Sequence, residues 1–556
     1  MRARWAGLVV VALALAGCGG VPTSGSVEPG SIIDEASAEL DVAYNPGGPL
    51  ADATQSEIML GFITAATNPQ NDYNVARSYL AADYREKWDP NKITQIRTGI
   101  GQARPESDTS QSYSLTSSAH VDENGQYVED QPATQVLDFT FVKDANDQWR
   151  ISSAPDGIVL SRESFNAIFE AHPLYFYDAT NTYLVPDLRW FPKTKLLASV
   201  VVRELLEGQA AWLQQGVTNT YFPAGTKLDS SVVVESGVAT VELSEQVLDA
   251  SSEQLQLMRQ QLRASIGNVS SVVITGGGVP LGDQEGGSAP ETADLMVQDQ
   301  LLARQDDAFG FLKSSGSVGA LVGVSAEVIA LGATDATLTR DGSAAAVQTP
   351  TGAWLVFANN AKAVQIDARA GLLAPAVDSS GFVWTVPAGD ASAIVAHDDD
   401  GNAYPIAAPQ FSGMQAVSFS ISRDGSRVLM LSTTVLGPRL SVAGIIRADG
   451  VPTGLGTPLS LPINQSSLPL DATWVDGNTI ATLTVPSDDD QSTVTAYQLG
   501  GPTTTLGRVA GGVSVVGGNG GTEGLRVVTG DGDVFRPRGN GWADTGTTVT
   551  FVATQQ

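Results

Sequence analysis

The chain has 556 residues, of which 42% are apolar, so it is too long for one core and suggests about three folded domains. Its 31 basic and 60 acidic residues give a formal net charge of −29, which argues against nucleic acid as a partner because phosphates demand clustered Lys and Arg. The single cysteine excludes a disulfide framework.

The first 17 residues have the layout of a secretory signal. Arg2 and Arg4 precede a small and apolar run, 5–17, which is shorter than the roughly 20 residues a membrane-spanning helix needs. The run ends in Leu-Ala-Gly followed by Cys18, the pattern of a bacterial lipobox. We therefore predict that residues 1–17 are a signal peptide and that Cys18 is the lipidation site, carrying the S-diacylglycerol and N-acyl groups. An ordinary secreted protein with a chance cysteine is the alternative.

Residues 18–49 are rich in Gly, Pro and small polar residues, which predicts a lipidated flexible tether. No later apolar segment reaches membrane-spanning length. We therefore expect everything after Cys18 to lie on the extracytoplasmic face of the cell membrane. There is no polybasic patch for anionic lipid, so attachment depends on the anchor.

The segment 50–160 changes its hydrophobic period. Met59, Phe62, Ile63 and Ala66 share one helical face, and a second helical face spans 75–80. Later, alternating apolar residues at 137–141 and 149–151 predict antiparallel strands. Helices followed by strands predict an α+β domain in which a helix packs on a curved sheet.

Aromatic residues crowd the segment 161–192. They are Phe165, Phe169, Tyr175, Phe176, Tyr177, Tyr183 and Trp190. Such a stretch is interpreted as a connector packed against a neighbouring core, with a binding surface as the alternative.

A second α+β domain is predicted over 193–281. A helix around 197–205 ends before Gly208, a hairpin turns at Ser236-Gly237, a second helix covers 255–266, and a strand covers 271–275. Gly, Asp, Glu and Ser then dominate 282–292, which predicts a linker that extends to residue 314.

The last portion, 315–556, has short strands and recurrent tight turns. Five related phrases contain Asp-Gly or Ser-Gly turns flanked by alternating apolar residues, near residues 341, 380, 424, 476 and 531. Spacings of roughly 40–50 residues match a β-propeller blade, which predicts five or six blades. A plain β-sandwich is the alternative. The predicted fold class is thus two α+β domains followed by an all-β propeller.

Residues suited to catalysis or metal binding do not cluster in the sequence. His120, His172 and His397 lack the partners of a zinc motif, and no P-loop, Rossmann or G-x-S-x-G pattern occurs. Acidic runs at 398–402 and 487–490 lack the spacing of a calcium loop, so we interpret them as solvated turns. We expect no catalytic residue, metal or cofactor. Paired carboxylates that act on a glycan stay open as an alternative.

Four ordered features resemble a known family. They are Gly17-Cys18-Gly19-Gly20 with the following Val-Pro-Thr-Ser-Gly, Arg77-Ser78-Tyr79-Leu80 before Lys87-Trp88-Asp89-Pro90, Tyr183–Asp187 before Trp190, and the domain order. Together they are similar to the actinobacterial lipoprotein LpqB family, with a GerMN domain over 193–280 and a C-terminal β-propeller.

The resemblance implies a role without catalysis. Members of that family are understood as extracytoplasmic accessories of the MtrAB two-component system, which contact the extracellular domain of the MtrB sensor kinase and influence envelope and division control. The implied partners are a sensor histidine kinase and the membrane, with no nucleic acid and no identified small ligand. Only Cys18 is carried over as a functional residue. A cell-wall glycan-binding or glycan-hydrolysing protein that uses acids of the propeller, and a carrier or sensor of a wall-derived ligand, are the alternatives.

Overall fold

The computed structural model describes residues 46–282, 295–359, 362–487 and 490–556. The predicted signal peptide, Cys18 and nearly all of the predicted tether lie outside the described residues, as does most of the predicted linker. From Pro46 onward the chain forms one compact unit. None of the helices in the described ranges is long and apolar enough to span a bilayer.

The first domain packs helix α1 (Gln55–Ala65) and the short helix α2 (Asn74–Arg77) on a curved sheet. The strands are β1 (Ile93–Ser107), β2 (Ser110–Asp122), β3 (Tyr127–Lys143), β4 (Trp149–Ser153) and β5 (Ile158–Ser161). Their order in the sheet is β4-β3-β2-β1-β5, and only β1 and β5 pair in parallel. Phe62 of α1 packs edge-on against Trp88 and Phe139, with ring centroids 4.9 and 6.2 Å apart. The predicted helix-on-sheet arrangement is confirmed.

The second helix of this domain is shorter than predicted. Helix α2 ends at Arg77, because Leu80 pairs with Ile151 in a β-bridge and the Ala81 N–H donates to the Ile151 carbonyl at 2.8 Å. The apolar residues at 79 and 80 are buried by this pairing and not by a helical face.

Helix α3 (Arg162–Ile168) ends the first domain, because its Phe165 lies in that domain's core, and the second domain begins with a three-stranded sheet of order β7-β6-β8. Its strands are β6 (Phe169–Asp178), β7 (Leu184–Pro192) and β8 (Thr218–Asn219). Helices α4 (Leu197–Glu207) and α5 (Ser252–Ile266) pack on a second sheet of order β12-β11-β10-β9. These strands are β9 (Val233–Glu235), β10 (Val238–Leu243), β11 (Ser271–Gly276) and β12 (Val279–Pro280).

The predicted connector over 161–192 is wrong as a separate segment. Its residues form the β6–β7 hairpin, and Leu174, Phe176 and Phe191 lie in the same buried core as helices α4 and α5. Phe176 is thus a core residue of the second domain, whereas Phe165 and Phe169 lie in the core of the first domain and Trp190 packs against that core. The segment packs against both cores, which fits the expectation that it does not form a free binding surface. The order α4-β9-β10-α5-β11 agrees with the sequence prediction.

The described part of the third region contains six blades of four main strands each, and blades 1 and 2 are joined into one eight-stranded sheet. Blade 1 combines β13 (Leu302–Gln305), β14 (Ala308–Leu312) and β15 (Val318–Ala320) with the last strand, β37 (Phe551–Gln555). Helix α6 (Ser325–Ala330) leads into blade 2. Blade 2 comprises β16 (Asp335–Leu338), β17 (Ala344–Thr349), β18 (Gly352–Phe357) and β19 (Val364–Asp367). Blade 3 comprises β20 (Ala376–Val377), β21 (Val383–Thr385), β22 (Val395–His397) and β23 (Ala403–Pro405).

The remaining blades repeat this order. Blade 4 comprises β24 (Gln415–Ile421), β25 (Arg427–Thr434), β26 (Gly437–Ala448) and β27 (Val451–Leu455), with β28 (Leu459–Leu461) paired to β26. Blade 5 comprises β29 (Leu468–Trp474), β30 (Thr479–Val485), β31 (Gln491–Gln498) and β32 (Thr503–Ala510). Blade 6 comprises β33 (Gly512–Val516), β34 (Arg526–Thr529), β35 (Asp533–Arg538) and β36 (Gly541–Thr548).

The blades close into a ring. The innermost strands β16, β20, β24, β29, β33 and β37 each contact the next, and β37 contacts β16. The predicted propeller is confirmed, with six blades, and the sandwich alternative is wrong. The predicted start at residue 315 is too late, because β13 and β14 already belong to blade 1.

Four of the five turn phrases occupy the same place in their blades. The turns near 341, 380, 424 and 476 join the innermost strand to the second strand, whereas the turn near 531 joins the second and third strands of blade 6. In each of the four turns, an Asp side chain accepts hydrogen bonds from backbone N–H groups that follow it. The recurrent phrase is therefore a turn-forming element of the blade.

The second domain is fixed to one end of the propeller. Trp190 Nε1 donates to the Gly500 carbonyl at 2.8 Å, and the Arg340 guanidinium lies 5.6 Å from the ring centre of Tyr183. Gly444 lies so close to Val217 that an added Cβ would sit 2.4 Å from a Val217 methyl carbon. We call this end, where the innermost strands finish, the docked face, and the opposite end the open face.

Candidate functional site

The three histidines occupy separate places in the fold. His120 Nδ1 lies 2.6 Å from Asp130 Oδ2 on the first-domain sheet, and both side chains are partly exposed. The His172 ring nitrogen Nε2 contacts the Ser265 carbonyl inside the second domain, where burial lowers the pKa of the imidazole. His397 lies on β22, between blades.

The surroundings of His397 look like a catalytic triad but lack its geometry. Thr385 Oγ1 lies 3.1 Å from His397 Nε2 and donates to Asp367 Oδ2 at 2.7 Å. Asp367 is 3.8 Å from the same Nε2, so the carboxylate does not orient the ring through its other nitrogen as a triad requires. Thr385 is fully buried and out of reach of a substrate. Burial lowers the pKa of His397, and the cluster links neighbouring strands.

The acidic run near 398 forms a turn. Asp398 Oδ1 accepts the Asn402 N–H at 2.7 Å, and Oδ2 accepts the Asn402 amide and the Tyr404 hydroxyl at 2.8 and 2.9 Å. The carboxylate is therefore occupied by its own loop. Asp488 and Asp489 of the other run lie outside the described residues. Across the described ranges no group of three potential metal-binding side chains converges.

A channel runs along the propeller axis and contains two carboxyl groups. Its cavity has a volume of about 90 Å³ and is lined by residues of the innermost strands, including Asp335 of β16 and Asp471 of β29. Asp335 lies in blade 2 and Asp471 in blade 5, each at the start of an Asp-Ala-Thr triplet that also occurs twice outside the propeller. These two blades are three positions apart in a ring of six and so lie on opposite sides of the channel.

The two carboxyl groups have different surroundings. Asp471 Oδ1 accepts the Ser418 hydroxyl, and Oδ2 accepts the Ser514 hydroxyl, each at 2.8 Å, so Asp471 joins blades 4, 5 and 6. Asp335 Oδ1 accepts only the adjacent Ala336 N–H at 2.7 Å among the contacts described. Burial raises the pKa of Asp335 to about 7, and burial also raises the pKa of Asp471. Both carboxyl groups therefore hold their protons to higher pH than an exposed aspartate does.

Exposed aliphatic side chains lie at the open face, the end of the propeller where the innermost strands begin. Val435 and Leu436, in the turn between β25 and β26, are 103% and 77% exposed. Leu468 at the start of β29, Val513 at the start of β33 and Val322 before α6 are also exposed. The open face thus carries exposed aliphatic side chains, whereas the docked face carries the contacts to the second domain.

A second cavity, of about 110 Å³, lies where the three domains meet. Tyr127 and Glu129 come from the first domain, Leu188 and Trp212 from the second, and Asn478 and Tyr497 from the propeller. Thr503 of the propeller donates to the Glu129 carboxylate, so the first domain also touches the docked face. The junction is built from residues far apart in the sequence.

Models of known families match most of the chain. The model described as "Lipoprotein LpqB, N-terminal domain" matches residues 48–166, and "Lipoprotein LpqB beta-propeller domain" matches residues 312–551. Between them, "Sporulation and spore germination" matches residues 173–282. The chain belongs to the LpqB lipoprotein family. The matched limits agree with the structure in including the β6–β7 hairpin in the middle domain.

Curated LpqB lipoproteins from several actinobacteria are similar to this chain. That of Cutibacterium acnes is 29% identical over 296 residues, covering 52% of this chain and 48% of the relative. That of Thermobifida fusca is 28% identical over 268 residues, covering 45% and 42%. The chain therefore spans about half the length of the curated relatives it matches.

Solved structures resemble parts of the chain weakly. A gluconolactonase from Xanthomonas campestris is 16% identical with a TM-score of 0.31, covering 48% of this chain and 91% of that structure. The tandem GerMN domains of GerM from Bacillus subtilis are 17% identical with a TM-score of 0.17, covering 26% and 58%.

Sequence reasoning identified the LpqB family but missed both cavities. The Asp-Ala-Thr triplet did not single out the channel, because it also occurs at 52–54 and 178–180, outside the propeller. The junction has no sequence signal either, because its walls come from three domains.

Proposed function

We propose that this LpqB-family protein is tethered to the outer side of the cell membrane through acylated Cys18 and acts, without catalysis, as an accessory of a two-component sensor kinase of the MtrAB type. Its partner in this proposal is the extracellular domain of the MtrB-like kinase, and its effect is on envelope and division control. The family assignment, the lipobox and the lipoprotein relatives support this proposal.

The observation that carries the proposal is the difference between the two ends of the propeller. The docked face is used for contacts within the chain, whereas the open face presents exposed aliphatic side chains, with Asp335 at the start of β16 on the same side. Exposed aliphatic residues grouped on one surface are typical of interaction sites. We infer that the open face contacts the kinase, through an apolar surface of the partner that carries basic residues.

Tethering allows this contact to be weak in solution. When two proteins share one membrane, their effective concentration rises and a modest affinity suffices. Release from the anchor should then reduce the effect in cells although the fold is intact.

The test compares two double variants in binding to the purified kinase ectodomain by calorimetry. Val435→Asp with Leu436→Asp places charges on the open face, and Leu196→Asp with Leu248→Asp places the same charges on exposed positions of the second domain, 58% and 57% exposed. We expect the first pair to abolish binding and the second to leave it unchanged. Equal effects of the two pairs, or no binding by the unmodified protein, would refute the proposal.

The glycan-hydrolysing alternative gains no support from a specific contact. Four donors already occupy the Asp471 carboxylate: the Ser418 hydroxyl, the Ser514 hydroxyl, and the Ala472 and Val515 N–H groups. A channel of about 90 Å³ holds a few water molecules but not a segment of several sugar units. Turnover of a glycan by the purified protein would nevertheless overturn the accessory role.

A further inference from the structure

We propose that the cavity at the three-domain junction is a binding site for a small, neutral, hydroxyl-bearing ring of about the size of one pyranose. This proposal does not depend on the accessory role, because the junction lies away from the open face. Three observations support it: the position of the cavity, its lining and its polar atoms.

The position is typical of a ligand site. Small-molecule pockets occur preferentially between domains, with mostly apolar walls and a few placed polar groups. The cavity has a volume of about 110 Å³. An apolar cavity of roughly 150 Å³ binds one benzene ring, so a single ring is the upper limit here. Of a longer ligand, only one ring could enter the cavity.

The lining selects against anions. Tyr127, Trp212 and Tyr497 supply aromatic walls, and Leu459 and Leu461 add aliphatic ones. The described lining contains no Lys or Arg to bind an anion. Its Asp187 carboxylate is already paired with Arg189 at 2.7 Å, both side chains being buried. An aromatic wall can cover the C–H face of a ring, which supplies apolar contact without a charge.

Two acceptors of the lining lie on different domains. Asn478 Oδ1 of the propeller is buried and has no hydrogen-bond partner in the described structure, which costs free energy unless something donates to it. Across the junction, Glu129 of the first domain accepts one bond from Thr503 and has a second carboxylate oxygen. Separate acceptors suit a ring with hydroxyl groups on several edges, whereas an amine gathers its donors at one point.

Binding would connect all three domains. A ligand that contacts the folded arrangement and not the unfolded chain stabilises it in proportion to its occupancy. We therefore expect the ring compound to raise the temperature at which the domains unfold, and to make the junction more resistant to proteolysis.

The test uses the full lipoprotein in a polyoxyethylene detergent, which has no sugar headgroup. Calorimetry and thermal unfolding are measured with methyl β-D-glucopyranoside, myo-inositol and, as a cationic ring-sized probe, tetramethylammonium. We expect at least one of the two neutral rings to bind and to raise the unfolding temperature, and tetramethylammonium to do neither. No binding of either neutral ring at about 10 mM, or tighter binding of tetramethylammonium, overturns the proposal.

Two variants separate a ligand site from a structural role. Asn478→Leu removes the unpaired acceptor at nearly constant volume, so it should weaken ring binding at least tenfold while the unfolding temperature without ligand is unchanged or higher. Asn91→Leu, at an exposed position in the first domain, is the matched control and should bind normally. Unchanged binding by Asn478→Leu, or a large loss of its stability without ligand, contradicts the assignment.

Discussion

Asp335→Asn should stabilise the protein, and the gain should depend on pH. Burial raises the pKa of Asp335 from its ordinary value of 3.8 to about 7. Between these two values the folded protein keeps the proton that the unfolded chain releases, so the stability present below pH 3.8 is lost as the pH rises to about 7. The asparagine cannot ionise, and its Oδ1 can still accept the Ala336 N–H.

The size of the gain follows from the pKa difference. At 1.36 kcal/mol for each tenfold change, the shift corresponds to at most about 4 kcal/mol above pH 7, and water in the channel reduces this to roughly 1–3 kcal/mol. The free energy of unfolding is measured by urea denaturation with tryptophan fluorescence. The difference between the variant and the original protein should be near zero at pH 4 and should reach its maximum above about pH 7.

Asp341→Asn, in the first turn of the same blade, is a control for which the change in stability should have the opposite sign. Hydrogen bonds from the Ser343 N–H and hydroxyl lower the pKa of Asp341, so its contribution to stability is present above the ordinary pKa and is lost as the pH falls. This variant should be less stable at neutral pH, and its deficit should shrink in acid. If Asp335→Asn destabilises at every pH, or gives a difference that does not vary with pH, the buried-carboxyl reasoning is refuted.

Four further predictions test the anchor, the propeller core and the interface. Cys18→Ser should abolish acyl labelling and leave an uncleaved precursor, and normal processing would contradict the lipobox assignment. Arg427→Met should cost about 3–5 kcal/mol in urea denaturation, because it leaves the buried Asp424 without its cation, whereas a loss below 1 kcal/mol would show that Asp424 needs no partner. Gly444→Ala should cost about 1–3 kcal/mol through its clash with Val217, whereas Gly389→Ala, with open space around it, should be neutral in the same assay. Limited proteolysis should cut first within 282–292 and leave two fragments that co-elute in gel filtration, because docked-face contacts such as Trp190 to Gly500 persist; separate elution or first cuts within 330–550 would count against this interface.

The sequence was sufficient to predict the elements whose hydrophobic residues or turns recur at regular spacing. Helix α5 was predictable because Leu255, Met258, Leu262 and Ile266 repeat on one face, and Ser251 with Gln254 forms a capping box at its start. The propeller was predictable because its turn phrase recurs. In both cases the structure that the local sequence favours is the one that the whole fold requires.

The sequence was insufficient where burial depends on distant partners. Strands β1 and β2 have 15 and 13 residues, yet Gly99 and Gly101 interrupt β1, and its second half is mostly exposed. Alternation of apolar residues is therefore weak there. Likewise, the raised pKa of Asp335 arises from the ring of six blades, and no feature of its local sequence indicates that it is buried.

Strand β37 has a consequence for how the propeller folds. It lies near the end of the chain but pairs with β13 at Ala303↔Val552, and its neighbour on the other side is β16. Until residues 551–555 arrive, both β13 and β16 present unpaired edges, which are prone to join strands of other molecules. Pairing across such a long sequence separation is slow, because the entropy of loop closure must be overcome first. The pairing of the last strand thus limits the rate at which the propeller folds. Removal of that strand should leave five complete blades and a protein that aggregates.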